Sequence, residues 1–337
     1  TPCGTLFPYT TLFRSGVNQR KRWLRVIDQI GPLLGLVAIA GVFAALRPST
    51  FLTWGNFEII LLHTAVVGVA ALGATLIIIS SGIDLSVGSI IAVTAVGVAL
   101  LLNAGAPPAV AVIGGVAIGG ICGLLNGSLI TFGKITPFIV TLGTLGALRG
   151  AAKGMADEQM IVVPHQGWLE HILRPLRTGE WWLLPVGVWV MLILAVACAV
   201  MLRYTRFGRH IIAIGSNEET ARLCGVRVGW VKLNIYLLGG LLAGAAGVLQ
   251  FSRDNVGNPT TAFGYELDVI AAVVIGGGSL AGGQGSIFGT IVGALIMSTI
   301  ANGCTKLEMS NWVQEIITGG IIVLAVALDR FRHQRGV

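Results

Sequence analysis

Residues 57–80 read FEIILLHTAVVGVAALGATLIIIS, and this long apolar run decides the class of fold. A stretch of about 20 apolar residues is long enough to cross the hydrocarbon core of a bilayer as an α-helix. The chain of 337 residues is 54% hydrophobic and only 11% charged, whereas a soluble domain has roughly 25% charged residues. It therefore has too little polar surface to face water on all sides, and we expect an integral membrane protein.

Nine further apolar runs accompany this one, and several are too short for a full span. They are Ile30–Leu46, Val87–Leu102, Ala109–Ile130, Pro137–Ala152, Trp182–Leu202, Val231–Gln250, Leu267–Gly278, Ser286–Ile300 and Trp312–Leu328. Short, glycine-interrupted segments are typical of discontinuous helices that are buried in protein. We predict an all-α, polytopic membrane protein of about ten transmembrane helices, some of them short or discontinuous.

The basic residues predict the orientation in the membrane. They cluster before the first run at 20–25, at Lys134, in the connection 203–232 and after the last run at 330–335. Ten spans place all four positions on one side, and the positive-inside rule makes that side cytoplasmic. We therefore expect a multi-pass protein of the bacterial inner membrane with both termini in the cytoplasm. This topology explains the net charge of +7 better than nucleic-acid binding does.

The extreme N-terminus looks foreign to the rest of the chain. Residues 5–15 read TLFPYTTLFRS, which matches one reading frame of a widely used sequencing-library adapter. We interpret Thr1–Ser15 as an assembly artefact or a disordered tail and exclude it from reasoning about the fold. Residues 16–337 are expected to form a single transmembrane domain.

The connection 203–232 carries the clearest local signal outside the apolar runs. Ser216 and Glu219 have the spacing of a capping box, and Glu218 adds negative charge to the first turn of a helix. Gly225 suits a left-handed C-terminal cap, so we predict a short helix over Asn217–Cys224. A helix this short is marginal in water. It either docks onto a cytoplasmic partner through Thr220, Ala221, Leu223 and Cys224 or lies at the lipid headgroups.

Two connections share a short sequence pattern. SGIDLSVGSI (Ser81–Ile90) and GSLAGGQGSI (Gly278–Ile287) each join two apolar runs and end in Gly-Ser-Ile, which suggests a parallel internal repeat. Asp84 is the acidic residue of the first connection. It is either a functional carboxylate within the membrane or, in the interpretation that we favour, the organiser of a turn through backbone hydrogen bonds.

Five ordered segments resemble the ribose-type monosaccharide permeases of ATP-binding-cassette (ABC) importers, a family related to the branched-chain amino-acid permeases. The segments are 81–89, 126–150, 208–226, 263–296 and 323–329. The resemblance implies that the loop over 208–226 contains the helix that couples the permease to its ATPase. The implied coupling residues are Ser216, Asn217, Glu218, Glu219, Thr220, Ala221, Leu223, Cys224 and Gly225. The chain departs from the family in having Thr220-Ala221 for the usual Ala-Ala, and Cys224 where Ser or Ala is frequent.

The resemblance also implies partners that supply what this sequence lacks. No G-x-x-x-x-G-K-[ST] motif occurs, so we expect ATP and Mg to bind to separate ATPase subunits and this chain to be no enzyme. The five cysteines are scattered without metal-ligand spacing, and no cofactor or metal is expected. A periplasmic sugar-binding protein, a second permease copy and the lipid bilayer complete the expected partners, with no nucleic acid among them.

Hydroxyl, amide and imidazole groups within the runs are candidates for the translocation pathway, because a neutral sugar needs hydrogen-bond donors and acceptors. The candidates are His63, Thr75, Asn126, Thr141, Thr144, Asn234 and Gln250. Each of them could instead form a hydrogen bond between helices. Two alternative functions remain at this point, a branched-chain amino-acid ABC permease and an ion-coupled secondary transporter. The latter class is expected to carry acidic residues within its spans.

Overall fold

Each predicted apolar run overlaps one α-helix in the computed structural model, which describes residues 31–164, 167–175 and 183–334. These ten helices are α1 (Gly31–Leu46), α3 (Trp54–Ile79), α4 (Val87–Asn103), α5 (Pro108–Thr131), α6 (Pro137–Met155), α7 (Val186–Tyr204), α10 (Val228–Asp254), α11 (Tyr265–Ile275), α12 (Ile287–Lys306) and α13 (Asn311–Gln334). The prediction of an all-α polytopic fold is confirmed. The segment 1–15 and the basic cluster 20–25 lie outside the described residues.

Three shorter helices and a small sheet complete the described part of the chain. The helices are α2 (Pro48–Phe51), α8 (Arg206–Ser216) and α9 (Glu218–Leu223), and a 3-10 turn covers Gly167–His171. Strands β1 (Ile161–Val162) and β2 (Val256–Gly257) pair in antiparallel fashion. This pairing joins the connection after α6 to the connection after α10, and nothing in the hydrophobic pattern predicted it.

Helix α3 forms the centre of the bundle. It packs against α7, α10, α11 and α12, and 94% of its most apolar 18-residue stretch is buried. Five of the described helices, α3, α5, α7, α10 and α12, are long and apolar enough to cross a membrane. A helix that is apolar all round belongs in the interior of a bundle or in a membrane, and α3 satisfies both conditions.

Helices α5 and α10 pack closely against each other through glycine. A Cβ atom at Gly119 would lie only 2.5 Å from the Cα of Gly244, and one at Gly240 would lie 2.7 Å from the Cα of Gly123. Small residues let two helix backbones approach each other closely inside a membrane. The glycines of these two helices therefore stand where any side chain would separate the helices.

Two of the helices begin in the interior of the bundle, beside α6. Ser89, in the first turn of α4, donates a 2.8 Å hydrogen bond to the Leu145 carbonyl near the middle of α6. Arg149 of α6 donates to the Thr261 carbonyl at 2.7 Å, just before α11 begins. Helix α11 has 11 residues and is therefore only about 16 Å long. The prediction of short, discontinuous helices is met by α11.

The two Gly-Ser-Ile triplets occupy different places relative to their helices. Gly88–Ile90 lies inside the first turn of α4, whereas Ser286 is the N-cap of α12, its side chain accepting from the Gly289 amide. The local structure therefore does not make the triplets equivalent. The two connections nevertheless touch each other, as the contacts of Ser81 show below.

Candidate functional site

The short helix predicted over Asn217–Cys224 is present as α9, one residue shorter at each end than expected. Its N-cap is Asn217, whose Oδ1 accepts a 2.8 Å hydrogen bond from the Thr220 amide. Gly225 follows the helix with a φ of +85°, as the left-handed cap requires. The capping box of Ser216 was wrong, because α8 extends to Ser216 and its hydroxyl donates to the Ile212 carbonyl at 2.9 Å.

Helix α9 is fixed to its own chain on one side. Lys232 Nζ of α10 lies 2.6 Å from Glu218 Oε2, and Arg222 lies 3.2 Å from Glu218 Oε1. Ala221 is only 4% exposed, and its carbonyl accepts from the Val226 amide at 3.1 Å. Ala221 therefore packs inward, which corrects the expectation that it contacts a partner.

The other side of α9 is open. Leu223 is 84% exposed. The set that we call the docking face consists of the exposed residues Asn217, Glu219, Thr220, Leu223 and Cys224, flanked by the exposed Ser216 and Gly225. Because α9 already packs on its own chain, its shortness alone no longer requires a partner. The exposed face, on which Glu219 is the acidic residue, remains available to one.

The end of α8 is built into the bundle through main-chain contacts that we call the coupling junction, formed by residues 79–81, 215–216 and 281–283. Ser81 Oγ donates to the carbonyls of Gly215 and Ala281, both at 3.1 Å. The Gly283 amide donates to the Ile79 carbonyl at 2.8 Å. A Cβ atom at Gly215 would overlap the Ile79 carbonyl oxygen. The glycine run before α12 indicated a close backbone approach. The sequence did not show what it approaches, because residues 79–81 and 215–216 lie far away in the chain.

A first polar network surrounds the extended connection between α3 and α4. Asp84 Oδ1 accepts from the amide of Ser86 at 2.8 Å and from its hydroxyl at 2.6 Å. Asn126 Nδ2 donates to Ser86 Oγ at 2.9 Å, and Thr141 Oγ1 donates to the Ile83 carbonyl at 3.2 Å. The interpretation of Asp84 as the organiser of a turn is confirmed. Asn126 and Thr141 tie α5 and α6 to that turn.

Three other pathway candidates make separate contacts. Thr75 pairs with Thr290 of α12 at 2.8 Å, and Thr144 donates within its own helix at 3.3 Å. Asn234 is exposed and donates to the Trp230 carbonyl of its own helix at 2.7 Å. The structure does not bring Asn234 to the other candidates.

A second polar network, which we call the Tyr265 network, crosses the opposite half of the bundle. His63 of α3 lies 3.2 Å from Ser298 Oγ and 3.0 Å from Tyr265 Oη. Arg253 of α10 donates to the same Tyr265 Oη at 3.3 Å. Helices α3, α10, α11 and α12 are thereby joined through polar side chains, of which the sequence singled out only His63 as a candidate.

Gln250 extends the Tyr265 network along α10. Its Nε2 donates to Asp254 Oδ2 at 2.6 Å and to Thr261 Oγ1 at 3.0 Å, and Arg253 pairs with Asp254 at 3.4 Å. Arg253 and Asp254 thus have protein partners. Among the described residues, no group of three His, Cys, Asp or Glu side chains could hold a metal ion.

The helical bundle and the polar networks inside it define a multi-pass α-helical membrane protein. The family described as "Branched-chain amino acid transport system / permease component" matches residues 56–326. The match covers more than half of the chain, so the chain belongs to this permease family.

Curated relatives resemble the chain over almost its whole length. The ribose import permease protein of Escherichia coli K12 is 39% identical over 92% of this chain and 95% of the relative. That of Bacillus subtilis 168 is 40% identical over 90% of this chain and 94% of the relative. The D-allose transport system permease protein of Escherichia coli K12 is 34% identical over 96% and 98%, respectively. No solved structure matches the chain.

Proposed function

We propose that this chain is the membrane-spanning permease subunit of an ABC importer for a monosaccharide. The observation that carries the proposal is the placement of α9. One side of this helix is bonded to α10 through Glu218 and Lys232, and the other presents the docking face. Immediately before it, α8 ends in the coupling junction. A push on α9 from outside the bundle would therefore reach several membrane helices directly.

The relatives support a sugar as the substrate. Those with high identity over most of the chain are named for ribose, D-allose and L-arabinose, although the family description names branched-chain amino acids. A branched-chain amino-acid permease is the second candidate function. An ion-coupled secondary transporter has less support, because the docking face would have no role in it.

The remaining partners follow from the mechanism. Two ATPase subunits would bind the docking face and supply ATP hydrolysis with Mg, a reaction for which this sequence has no nucleotide-binding motif. A periplasmic binding protein would deliver the sugar to the opposite end of the bundle. A second copy of the chain would complete the pathway, in an inner membrane with both termini cytoplasmic.

The proposed mechanism contains no bond-making step on this chain. Closure of the ATPase subunits would move α9 and, through the coupling junction, the end of α3 and the connection that precedes α12. Backbone contacts would pass such a movement on directly, because packed elements shift between discrete arrangements and do not deform continuously. The pathway would thus alternate between its two openings.

The test is uptake by the assembled complex in proteoliposomes. The permease is purified together with its ATPase and binding protein, and ATP-dependent uptake of ribose, allose, arabinose and leucine is measured. We expect uptake of at least one sugar and none of leucine. Uptake of leucine alone would establish the amino-acid permease instead. Uptake driven by an ion gradient without ATP would establish a secondary transporter.

A further inference from the structure

Arg149 and Glu266 meet in the interior of the bundle, at a place to which the function proposed above assigns no role. A Cβ atom at Gly88 of α4 would lie 2.5 Å from Glu266 Oε2 and 3.5 Å from an Arg149 guanidinium nitrogen. The two charged side chains therefore converge on the one position in the first turn of α4 that has no side chain.

The two charges are held in different ways. Arg149 donates to the carbonyls of Thr261 at 2.7 Å and Pro259 at 3.2 Å, so the guanidinium is anchored to the segment before α11. Glu266 Oε2 is buried and has no hydrogen-bond partner among the described residues. A buried carboxylate oxygen without a donor is costly. It marks a position at which a ligand hydroxyl would be stabilised.

An exposed aromatic ring lies directly beside this pair. Phe263 is 79% exposed, and the Arg149 guanidinium carbon lies 5.9 Å from its ring centroid. A cation over an aromatic face is favourable, and the contact helps to fix the ring. The ring is thus held beside the guanidinium with most of its surface uncovered.

The surface that these residues share cannot face lipid. Helix α6 has 19 residues and is about 28 Å long, close to the thickness of the hydrocarbon core. Arg149 lies within the apolar run Pro137–Ala152, and charged side chains at membrane depth face a water-filled cavity or protein. On α6 itself, Cβ atoms at Gly146 and Gly150 would meet no atom within 4 Å.

We propose that Arg149, Glu266 and Phe263 form a binding site for a neutral polyhydroxyl ligand, the translocated monosaccharide, at the junction of α4, α6 and α11. Arg149 offers donors and Glu266 offers acceptors. Together they carry no net charge, which suits a neutral ligand. Phe263 offers an apolar face on which the C–H face of a sugar ring packs. Gly88 lets Glu266 and the Ala262 carbonyl approach α4 closely. The proposal rests on the monosaccharide importer function and identifies its substrate contacts.

The test compares uptake by the reconstituted complex carrying Glu266→Gln or Phe263→Leu with the wild type. Glu266→Gln preserves the shape of the side chain while removing the charged acceptor, and Phe263 is exposed enough for leucine to be tolerated. We expect each variant to raise the sugar concentration at half-maximal uptake by at least 10-fold. Co-purification of the ATPase should remain unchanged, because neither residue lies near the docking face. Glu315→Gln and Phe138→Leu are the matched controls, because both residues are exposed on α13 and α6.

A purely structural role is distinguished by selectivity. The ratio of uptake of each transported sugar to that of its deoxy analogues should fall in Glu266→Gln. The reason is that a sugar hydroxyl no longer gains a hydrogen bond to a charged carboxylate. If the wild type imports a sugar and both variants match it in half-saturation and selectivity, the site is overturned while the importer function stands. If the wild-type complex imports no monosaccharide, the function and the site fall together.

Discussion

The amide of Gly283 donates a 2.8 Å hydrogen bond to the carbonyl oxygen of Ile79. This bond joins the last residue of the central helix α3 to the connection that precedes α12. The neighbouring hydroxyl of Ser81 adds the end of α8 to the same cluster through the Gly215 carbonyl. Three segments that are distant in sequence therefore meet within a few ångströms of the helix proposed to bind the ATPase.

Ser81→Ala tests whether this cluster transmits motion. The variant removes one donor from two carbonyls, a loss of about 1 kcal/mol, and leaves the docking face intact. We expect normal ATPase co-purification but fewer sugar molecules imported per ATP hydrolysed. Thr305→Ala is the control, because that hydroxyl bonds only within its own helix. An unchanged import-to-hydrolysis ratio in Ser81→Ala would show that the hydroxyl plays no part in coupling.

Leu223 and Ala221 should respond differently to substitution although they are two residues apart. Leu223→Glu places a charge on the docking face and should abolish ATPase co-purification without lowering the Tm of the isolated permease. Ala221→Leu overfills an internal contact, which costs about 1–3 kcal/mol, and should lower the Tm. Leu183→Glu, at an exposed position in another connection, should change neither. Retention of the ATPase by Leu223→Glu would remove α9 as the coupling helix.

Exchanging the charges of Glu218 and Lys232 should restore the ion pair that a single charge reversal breaks. Both side chains are partly exposed, so the pair contributes at most about 1 kcal/mol. Its proposed role is to hold α9 against α10 during the transport cycle. Glu218→Lys alone should slow uptake, and the double variant Glu218→Lys with Lys232→Glu should restore most of it. Equal uptake in the single and double variants would show that the two residues act independently.

Cys224 provides a direct probe of membrane orientation. It is exposed, whereas Cys122, Cys198 and Cys304 are buried. In a Cys3→Ser background, a membrane-impermeant maleimide should label the protein in inside-out vesicles and not in intact cells. Cys224→Ser should abolish that labelling. Labelling of intact cells that depends on Cys224 would place α9 on the outer side and reverse the predicted topology.

Gly240 tests the packing of α5 against α10. Valine at this position would collide with the backbone of Gly119 and Gly123, and the two helices would have to separate. We expect Gly240→Val to reduce the amount of folded protein in the membrane severely. Gly41→Val should be tolerated, because a Cβ atom there would meet nothing within 4 Å. Folded Gly240→Val protein with wild-type thermal stability would contradict this account.

Apolar runs predicted the helices well, because a chain in the bilayer must hydrogen-bond all of its backbone groups internally and span a fixed thickness. The segment 203–232 was predicted less completely. Its charged residues left α8 without an apolar run to indicate it. Because α8 continues to Ser216, the N-cap of α9 falls on Asn217 instead of the predicted Ser216.

The polar networks could not be predicted from the sequence, because they depend on contacts between distant residues. His63 was recognised as a polar residue within a span, yet its partners Tyr265 and Ser298 lie about 200 positions further along the chain. Arg149 lies within the predicted run Pro137–Ala152 and Glu266 just before the run Leu267–Gly278, but nothing in the sequence indicated that they meet. Their convergence on Gly88 arises from the places at which α4 and α11 begin.

The central position of α3 has a consequence for the order of biogenesis. The helices that cover it, α7, α10, α11 and α12, all emerge later from the ribosome, so nascent α3 must first lie among lipids. Its apolar circumference permits this, and the hydroxyls of Thr64 and Thr75 bond to carbonyls of their own helix. His63 differs, because its partners are supplied by α11 and α12. Insertion of α11 and α12 therefore supplies the hydrogen-bond partners that His63 lacks in the nascent protein.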